Sequence, residues 1–553
     1  LTAVSETGSV PVPAAAAPAK RPGSTLFGRG LLYVVVWALQ LVASSVISPI
    51  LAHLMAPAEF GALSSAIALY QLLSVAAVIG LDQALVLQRS EDGNSRRARG
   101  IITVALAVAF TVTAIATGTA PLWRGALGFQ HDHLLVVLVI LWTLPGAAVQ
   151  VVLALLVAED RLRTFSIISM ISAIGGSVVG LVLITTVNNS ATTYAWGGVV
   201  CQFIAMGIAL AVGRPRLRGA FDREVVGRAV RLGLPLTLGN LAYFVLNAGD
   251  RIIVQRFLGP EEVARYQIAY VIGSAVIMLL TFTNSAWTPQ FAALRDDVAR
   301  WDLAMRSRDQ LYRLLMPIVL AVTLVSPFAL PILAPASYHT QQLTVVVFLV
   351  AITAFPVAAS GATGRLLVVG RKGIAVGVIA AIAAAVNIVA NLFLVPVMGI
   401  AGAALATFIS YSVLAFLQLR SIPREPRWHG APGIVLVGIG ASLAVAAASM
   451  LLPQDTVWNL VRLAAAVACL PWFLNRLRAA RDAPPEPPRR GRRAVRGGER
   501  PRRRASSNEY GPDQSRSTYR PIAPRVEPAR RHARSTQQAP AGQPDPAEEH
   551  TDA

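Results

Sequence analysis

Charge is scarce in this sequence. Only 14% of its 553 residues are Asp, Glu, Lys or Arg, where a soluble domain carries roughly 25%. The shortage excludes an ordinary water-solvated surface. Cysteine is scarcer still, with two residues, Cys201 and Cys469, both inside apolar runs. That excludes a disulfide framework and leaves no ligand spacing for zinc. A Gly-rich phosphate loop ending in Lys-Ser/Thr is absent, so ATP is not the direct energy source. Nor does any nucleophile stand beside a base in a defensible pattern, so the chain does not read as an enzyme. His131-Asp132-His133 has the wrong spacing for a metal and reads as solvated loop. No metal or cofactor is expected.

Apolar residues are abundant instead: 54% of the chain, with a mean hydropathy of +0.56. Runs of about 20 apolar residues, the length that crosses a bilayer, recur from Leu31 to Leu474. Fourteen spans are predicted, at 31–53, 61–81, 101–121, 134–157, 165–187, 192–212, 232–253, 264–285, 312–334, 343–364, 373–395, 398–419, 432–452 and 456–474. The expected fold class is an all-α polytopic membrane protein.

The net charge of +20 would suggest nucleic acid in a soluble protein. Here the arginines lie between the spans and in a tail, so no nucleic-acid partner is expected. Alternate loops are rich in them: Arg96, Arg97 and Arg99; Arg161 and Arg163; Arg214 to Arg231; Arg295 to Arg308; Arg371 and Lys372; Arg424 and Arg427. The opposite loops hold little beyond Arg124, Arg256 and Arg265. Basic loops stay in the cytoplasm, so an inner (cytoplasmic) membrane location with both termini cytoplasmic is expected. The outer loops are too short for a membrane glycan polymerase or ligase, a class whose catalysis needs a substantial loop. On the basic side, Phe291, Leu294, Val298, Trp301 and Met305 recur at helical spacing, as in a helix lying at the interface or a plain connector.

The chain also repeats itself. Ile50 to Glu59 and Ile253 to Glu262 share a register in which Pro57 matches Pro260 and Glu59 matches Glu262. Leu144-Pro145 and Phe355-Pro356 open spans that end at Arg161 and at Lys372, with the same spacing. Both copies start on the same side, so two parallel six-helix lobes around a central cleft are expected, with two extra helices. The predicted organisation is a disordered N-terminus (1–30), an N-lobe (31–212), a linker (213–231), a C-lobe (232–419), two further spans (432–474) and a Pro/Arg-rich disordered tail (475–553).

With those features in place, the residues resemble a family. Gly233-Leu234-Pro235, Asp250-Arg251, Gly259-Pro260 and Tyr266, ending near Trp287-Thr288-Pro289, are similar to the middle of polysaccharide transport proteins. These belong to the multidrug/oligosaccharidyl-lipid/polysaccharide exporter superfamily. Leu54 to Gly61 with Gly80-Leu81 resembles their first hairpin. Asn387 to Asn391, Val395-Pro396 and Gly399 to Ala404 resemble their eleventh and twelfth spans. Order and spacing carry the likeness over residues 25 to 475. It implies a flippase for undecaprenyl-diphosphate-linked oligosaccharide, among membrane lipids and glycan polymerase or assembly proteins, with Na+ or H+ as possible coupling ions. Two other readings stay open: a cation-coupled drug or metabolite antiporter of the same superfamily, and the peptidoglycan-precursor branch. A scaffold working through its basic tail is a further alternative.

The candidate substrate-binding residues are polar groups at membrane depth, which are functional by default. Asn240, Asn247 and Arg251 fall on one helical face, with Asp250 beside them. Arg251 can meet a diphosphate bidentately while Asp250 holds it or binds a cation; alternatively the pair neutralises itself. Arg365 either faces inward or snorkels to headgroups. Asn387 and Asn391, one turn apart, bind substrate or glue helices together. Asp82 is expected to cap a helix or pair with Arg89, and Arg462 to snorkel or pair with Asp455.

Overall fold

A computed structural model describes residues 36, 39–40, 45–92, 95–216, 223–294, 296–370, 372–422 and 430–481. The N-terminal 30 residues and the Arg489–Arg504 run lie outside the described residues, as do Arg218, Arg295, Arg371, Arg424 and Arg427. Among the described residues the regular structure is entirely helical.

Thirteen helices are long and apolar enough to cross a membrane, and a shorter apolar helix precedes them. They are α1 (Ser45–Leu54), α2 (Pro57–Glu91), α3 (Arg97–Trp123), α4 (His133–Ala158), α5 (Leu162–Thr186), α6 (Ala191–Gly213) and α7 (Val226–Leu258). The series continues with α8 (Pro260–Leu280), α9 (Asp297–Leu333), α10 (Thr340–Val369), α11 (Gly373–Met398), α12 (Ile400–Ser421), α13 (Gly433–Met450) and α14 (Thr456–Ala479). Each predicted span meets one helix. Several helices run past the apolar stretch, because a helix leaving the bilayer keeps its internal hydrogen bonds while the sequence turns polar. Thus α2 starts at Pro57 rather than residue 61, and α9 at Asp297 rather than 312.

The reading of 291–305 as one interfacial helix is corrected. The helix of α8 continues to Ala293 and stops, and Asp296 caps a new one by accepting from the Val298 and Ala299 amides. Phe291 and Trp301 therefore sit on different helices, both buried with Ala242, Leu246 and Leu366. Asp82 likewise does not pair with Arg89 among the described residues. It lies in the first turn after a break in α2 and accepts from Gln83 Nε2 at 3.4 Å. There a carboxylate faces the positive end of the helix dipole. Arg462 neither snorkels nor bonds Asp455. It is 3% exposed and donates to the carbonyls of Ser449, Leu452 and Pro453, tying α13 to α14.

The packing repeats with the sequence. In the first half α2 packs on α4, α4 on α3 and α6, and α5 on α6. Six helices later α8 packs on α10, α10 on α9 and α12, and α11 on α12. α13 and α14 both lean on α9, outside the repeat.

The halves meet where α2 packs against α7 and α8. A Cβ added at Gly61 would lie 1.6 Å from the Pro260 carbonyl oxygen, so that crossing is backbone on backbone. Nearby, Gln255 of α7 accepts from Ser65 Oγ (3.1 Å) and donates to the Gly128 carbonyl (3.2 Å). At its other end α2 breaks at Ile79–Gly80, both left-handed (φ 46° and 63°), and Gly80 abuts the backbone of Gly233. An exposed ion pair, Glu91–Arg228 at 3.6 Å, accompanies that contact. Overpacking a tight site destabilises by about 1–3 kcal/mol or more. Gly61→Val should therefore lower the thermal midpoint of the purified protein by several degrees, whereas Gly118→Val, with open space around its Cβ, should leave it in place.

Candidate functional site

Halfway along α7 the chain takes one π-turn, Val245–Gly249. The wider turn advances the helix face, so Asn240 and Arg251 do not share the stripe that an unbroken helix predicts. Asn240 stays half-buried before the turn, apart from the cluster that follows.

That cluster centres on Asp250 and Arg251, 1% and 5% exposed. Arg251 Nη1 donates to Asp250 Oδ1 (3.1 Å) and to the Asn247 carbonyl (2.9 Å), and Nε donates to Gln267 Oε1 (2.8 Å). The Tyr270 ring lies 4.5 Å from the guanidinium carbon, within cation–π range. The second carboxylate oxygen of Asp250 accepts from the Tyr266 hydroxyl at 2.5 Å. The Tyr411 hydroxyl of α12 donates to Asn247 Oδ1 (2.8 Å). Three helices thus fix one charge pair.

Asn387 and Asn391 are 1% and 0% exposed on α11, which packs on the α7 π-turn. Asn391 Nδ2 donates to the Asn387 carbonyl (2.9 Å) and to its Oδ1 (3.1 Å). Asn387 Nδ2 and Asn391 Oδ1 are left buried without partners among the described residues. Arg365 is elsewhere, in α10, where Nε donates to the Gly361 carbonyl (2.9 Å) and the guanidinium lies 5.3 Å from the Phe291 ring centre. The structure therefore gathers Asn247, Asp250 and Arg251, sets Asn387 and Asn391 as a pair on a neighbouring helix, and leaves Asn240 and Arg365 outside.

Tyr266, Gln267, Tyr270 and Tyr411 complete the cluster and were not candidates from sequence. Tyr266 and Tyr270 are one turn apart and share a face with Gln267 close by, a signal present in the chain. The partnership of Tyr411 with Asn247, 164 positions away, has no local trace. At the arginine-poor face, Asp132 is half-buried. Burial and the nearby Glu59 carboxylate raise its pKa, and His131 pulls the other way.

Removing one member of a buried ion pair costs about 3–5 kcal/mol, because the other is left uncompensated, while removing both costs much less. Asp250→Asn and Arg251→Gln should each sharply lower the thermal midpoint. The double substitution should recover part of the loss, giving a coupling term in a double-mutant cycle. Additive losses would mean the two side chains do not act as a pair.

Comparison with known proteins bears on the fold and the family. A profile of the family described as "Polysaccharide biosynthesis protein" matches residues 50–341, more than half of the chain. The succinoglycan biosynthesis transport protein ExoT of Rhizobium meliloti (strain 1021) is 25% identical over 271 residues. That stretch is 48% of this chain and 54% of the relative, so the chain matches about half the length of that curated protein. Among solved structures, the lipid II flippase MurJ in an inward closed conformation superposes with a TM-score of 0.62 at 12% identity, covering 81% of this chain and 99% of MurJ. An inward-facing multidrug resistance transporter of the MATE family, in the MOP superfamily, gives 0.53 at 14% identity, covering 73% of this chain and 95% of that one. At these identities the structural likeness shows the fold alone. The family profile shows more: this multi-pass membrane chain belongs to the polysaccharide biosynthesis protein family.

Proposed function

We propose that the protein flips a lipid-linked oligosaccharide, a glycan on a polyprenyl diphosphate, from the cytoplasmic to the outer face of the membrane by alternating access. One observation carries this reading: a buried arginine, Arg251, sits on α7, where two repeated six-helix halves meet. A diphosphate is the part of the substrate that crosses hydrocarbon least readily, and a guanidinium is its natural partner. The polyprenyl tail needs no site, since it stays in lipid. The arginine-rich loops are taken as cytoplasmic by the positive-inside rule, with both termini on that side.

The halves suit rocking motion. At the Gly80 end of α2 they touch backbone on backbone beside an exposed ion pair, while the buried Ser65–Gln255–Gly128 bonds hold the other end, so the Gly80 end is the one placed to open. An ion gradient or downstream consumption of the product would supply direction, with Na+ or H+ as the coupling ion in the first case. A cation-coupled drug antiporter of the same fold would need an acidic group free to trade cations. Of the two buried acids among the described residues, Asp250 is already held by Arg251 and Tyr266, and Asp82, with one carboxylate oxygen unpartnered among the described residues, is the group an antiporter would use.

Deleting the gene should make undecaprenyl-diphosphate-linked oligosaccharide accumulate on the cytoplasmic face, read by lipid extraction, mass spectrometry and a sidedness probe. Wild-type protein should restore the normal distribution, and Arg251→Ala at matched protein level should not. Unchanged lipid intermediates with heightened sensitivity to cationic compounds would move the protein to the antiporter reading.

A further inference from the structure

The repeat lets each half be compared with the other, and the comparison exposes a chamber in the first half. Carrying the Pro57–Pro260 register forward sets Ile67 opposite Tyr270. The Pro145–Pro356 register sets Gly176 opposite Asn387 and Gly180 opposite Asn391. Aligning the starts of α6 and α12, Ala191 and Ile400, sets Gln202 opposite Tyr411 and Gly198 opposite Thr407. Tyr270 and the Asn387–Asn391 pair of the second half thus correspond to an aliphatic residue and two glycines in the first, and Tyr411 corresponds to Gln202.

Space remains there. A void between Ile67, Trp142 and Gly198, lined also by Ser172, Ala173, Gly176, Ser177 and Tyr194, has room for about one water-sized group. It borders the π-turn Ile171–Gly175 of α5, a feature frequent at functional sites. Trp142 is 5% exposed and stacks on Tyr70 with ring centres 4.9 Å apart. Its indole Nε1 is buried with no hydrogen-bond partner among the described residues. Ser172 Oγ is committed to Gln202 Oε1 at 2.7 Å.

A buried N–H without an acceptor is costly. The lining has no cation to hold a phosphate, and an apolar tail would leave the indole unpaired. What the indole lacks is a neutral oxygen acceptor, which the hydroxyls of Ser172, Ser177 and Tyr194 in the lining do not supply. We propose that this chamber is a sugar-hydroxyl subsite, in which Trp142 Nε1 donates to one hydroxyl of the glycan. The inference rests on the flippase reading above and divides recognition between the halves: charge in the second, carbohydrate in the first.

The test uses the full chain in lipid nanodiscs and two probes, undecaprenyl diphosphate carrying a disaccharide and the same lipid without sugar. Trp142→Phe keeps an aromatic ring, smaller than the indole, and loses the donor. It should weaken binding of the sugar-bearing lipid about fivefold, the worth of roughly one hydrogen bond, and leave the bare lipid unchanged. Ala173→Val, which narrows the chamber from α5 with Trp142 intact, should give the same selective loss. Equal weakening toward both lipids, or no change in either variant, would overturn the proposal and reduce the chamber to the seat of a structural water. Failure of the wild-type protein to bind either lipid is a different result, and it would overturn the flippase reading instead.

Discussion

A cation held inside a membrane protein must be surrounded by its own partners, and in this chain Arg251 sets that demand. Its guanidinium draws on Asp250 and the Asn247 carbonyl of α7 and on Gln267 and Tyr270 of α8. Tyr411 of α12 enters through Asn247. The second half is therefore fixed at its centre by polar bonds, where lipid-facing helices have only van der Waals contact to join them. Such a centre tolerates few rearrangements. The rocking proposed above would fall instead at the seam between the halves, which α2 forms.

The α2 contacts fit that division. Gly61 lets two backbones touch, and the left-handed break at Ile79–Gly80 turns the chain against Gly233. A β-branched residue at positive φ is unfavourable and persists only where its surroundings hold it. That strain lies next to an inter-half contact, where the rocking proposed above would bend the chain. The Ser65–Gln255–Gly128 bridge ties the opposite end. The two ends of α2 are thus held by different chemistry, buried amide bonds at one and backbone contact with a weak surface ion pair at the other.

Much of this architecture is legible in the sequence because the bilayer enforces it. Spans of about 20 apolar residues announce themselves, and the Pro57–Pro260 and Pro145–Pro356 registers anticipate the repeated packing. The site was harder to read. Asp250, Arg251, Asn387 and Asn391 stand out because polar groups are rare at that depth, yet hydroxyls and aromatic rings do not. Tyr266, Tyr270 and Tyr411 read as ordinary apolar filling until their partners are seen. The π-turn is the other hidden feature: nothing local marks Val245–Gly249, and its extra residue removes Asn240 from the predicted stripe. Arg365 shows the same limit, since its position beside Phe291 depends on where the α8 helix ends.

The two halves share a fold and differ in what fills them. In the second, side chains occupy the centre and satisfy most of one another, so a ligand there must compete with bonds already made. In the first, Gly176, Gly180 and Gly198 withhold side chains, and an indole N–H is left over. A substrate with a doubly charged diphosphate and a neutral, hydroxyl-rich glycan presents the same two chemistries in series. A duplicated lobe that kept its helices but exchanged Asn387 for Gly176, and Tyr270 for Ile67, can meet the two parts separately while the helices keep one mechanism of movement. On the flippase reading proposed above, the sequence divergence between the halves matches the asymmetry of the proposed cargo, and the shared packing matches the rocking that reading requires.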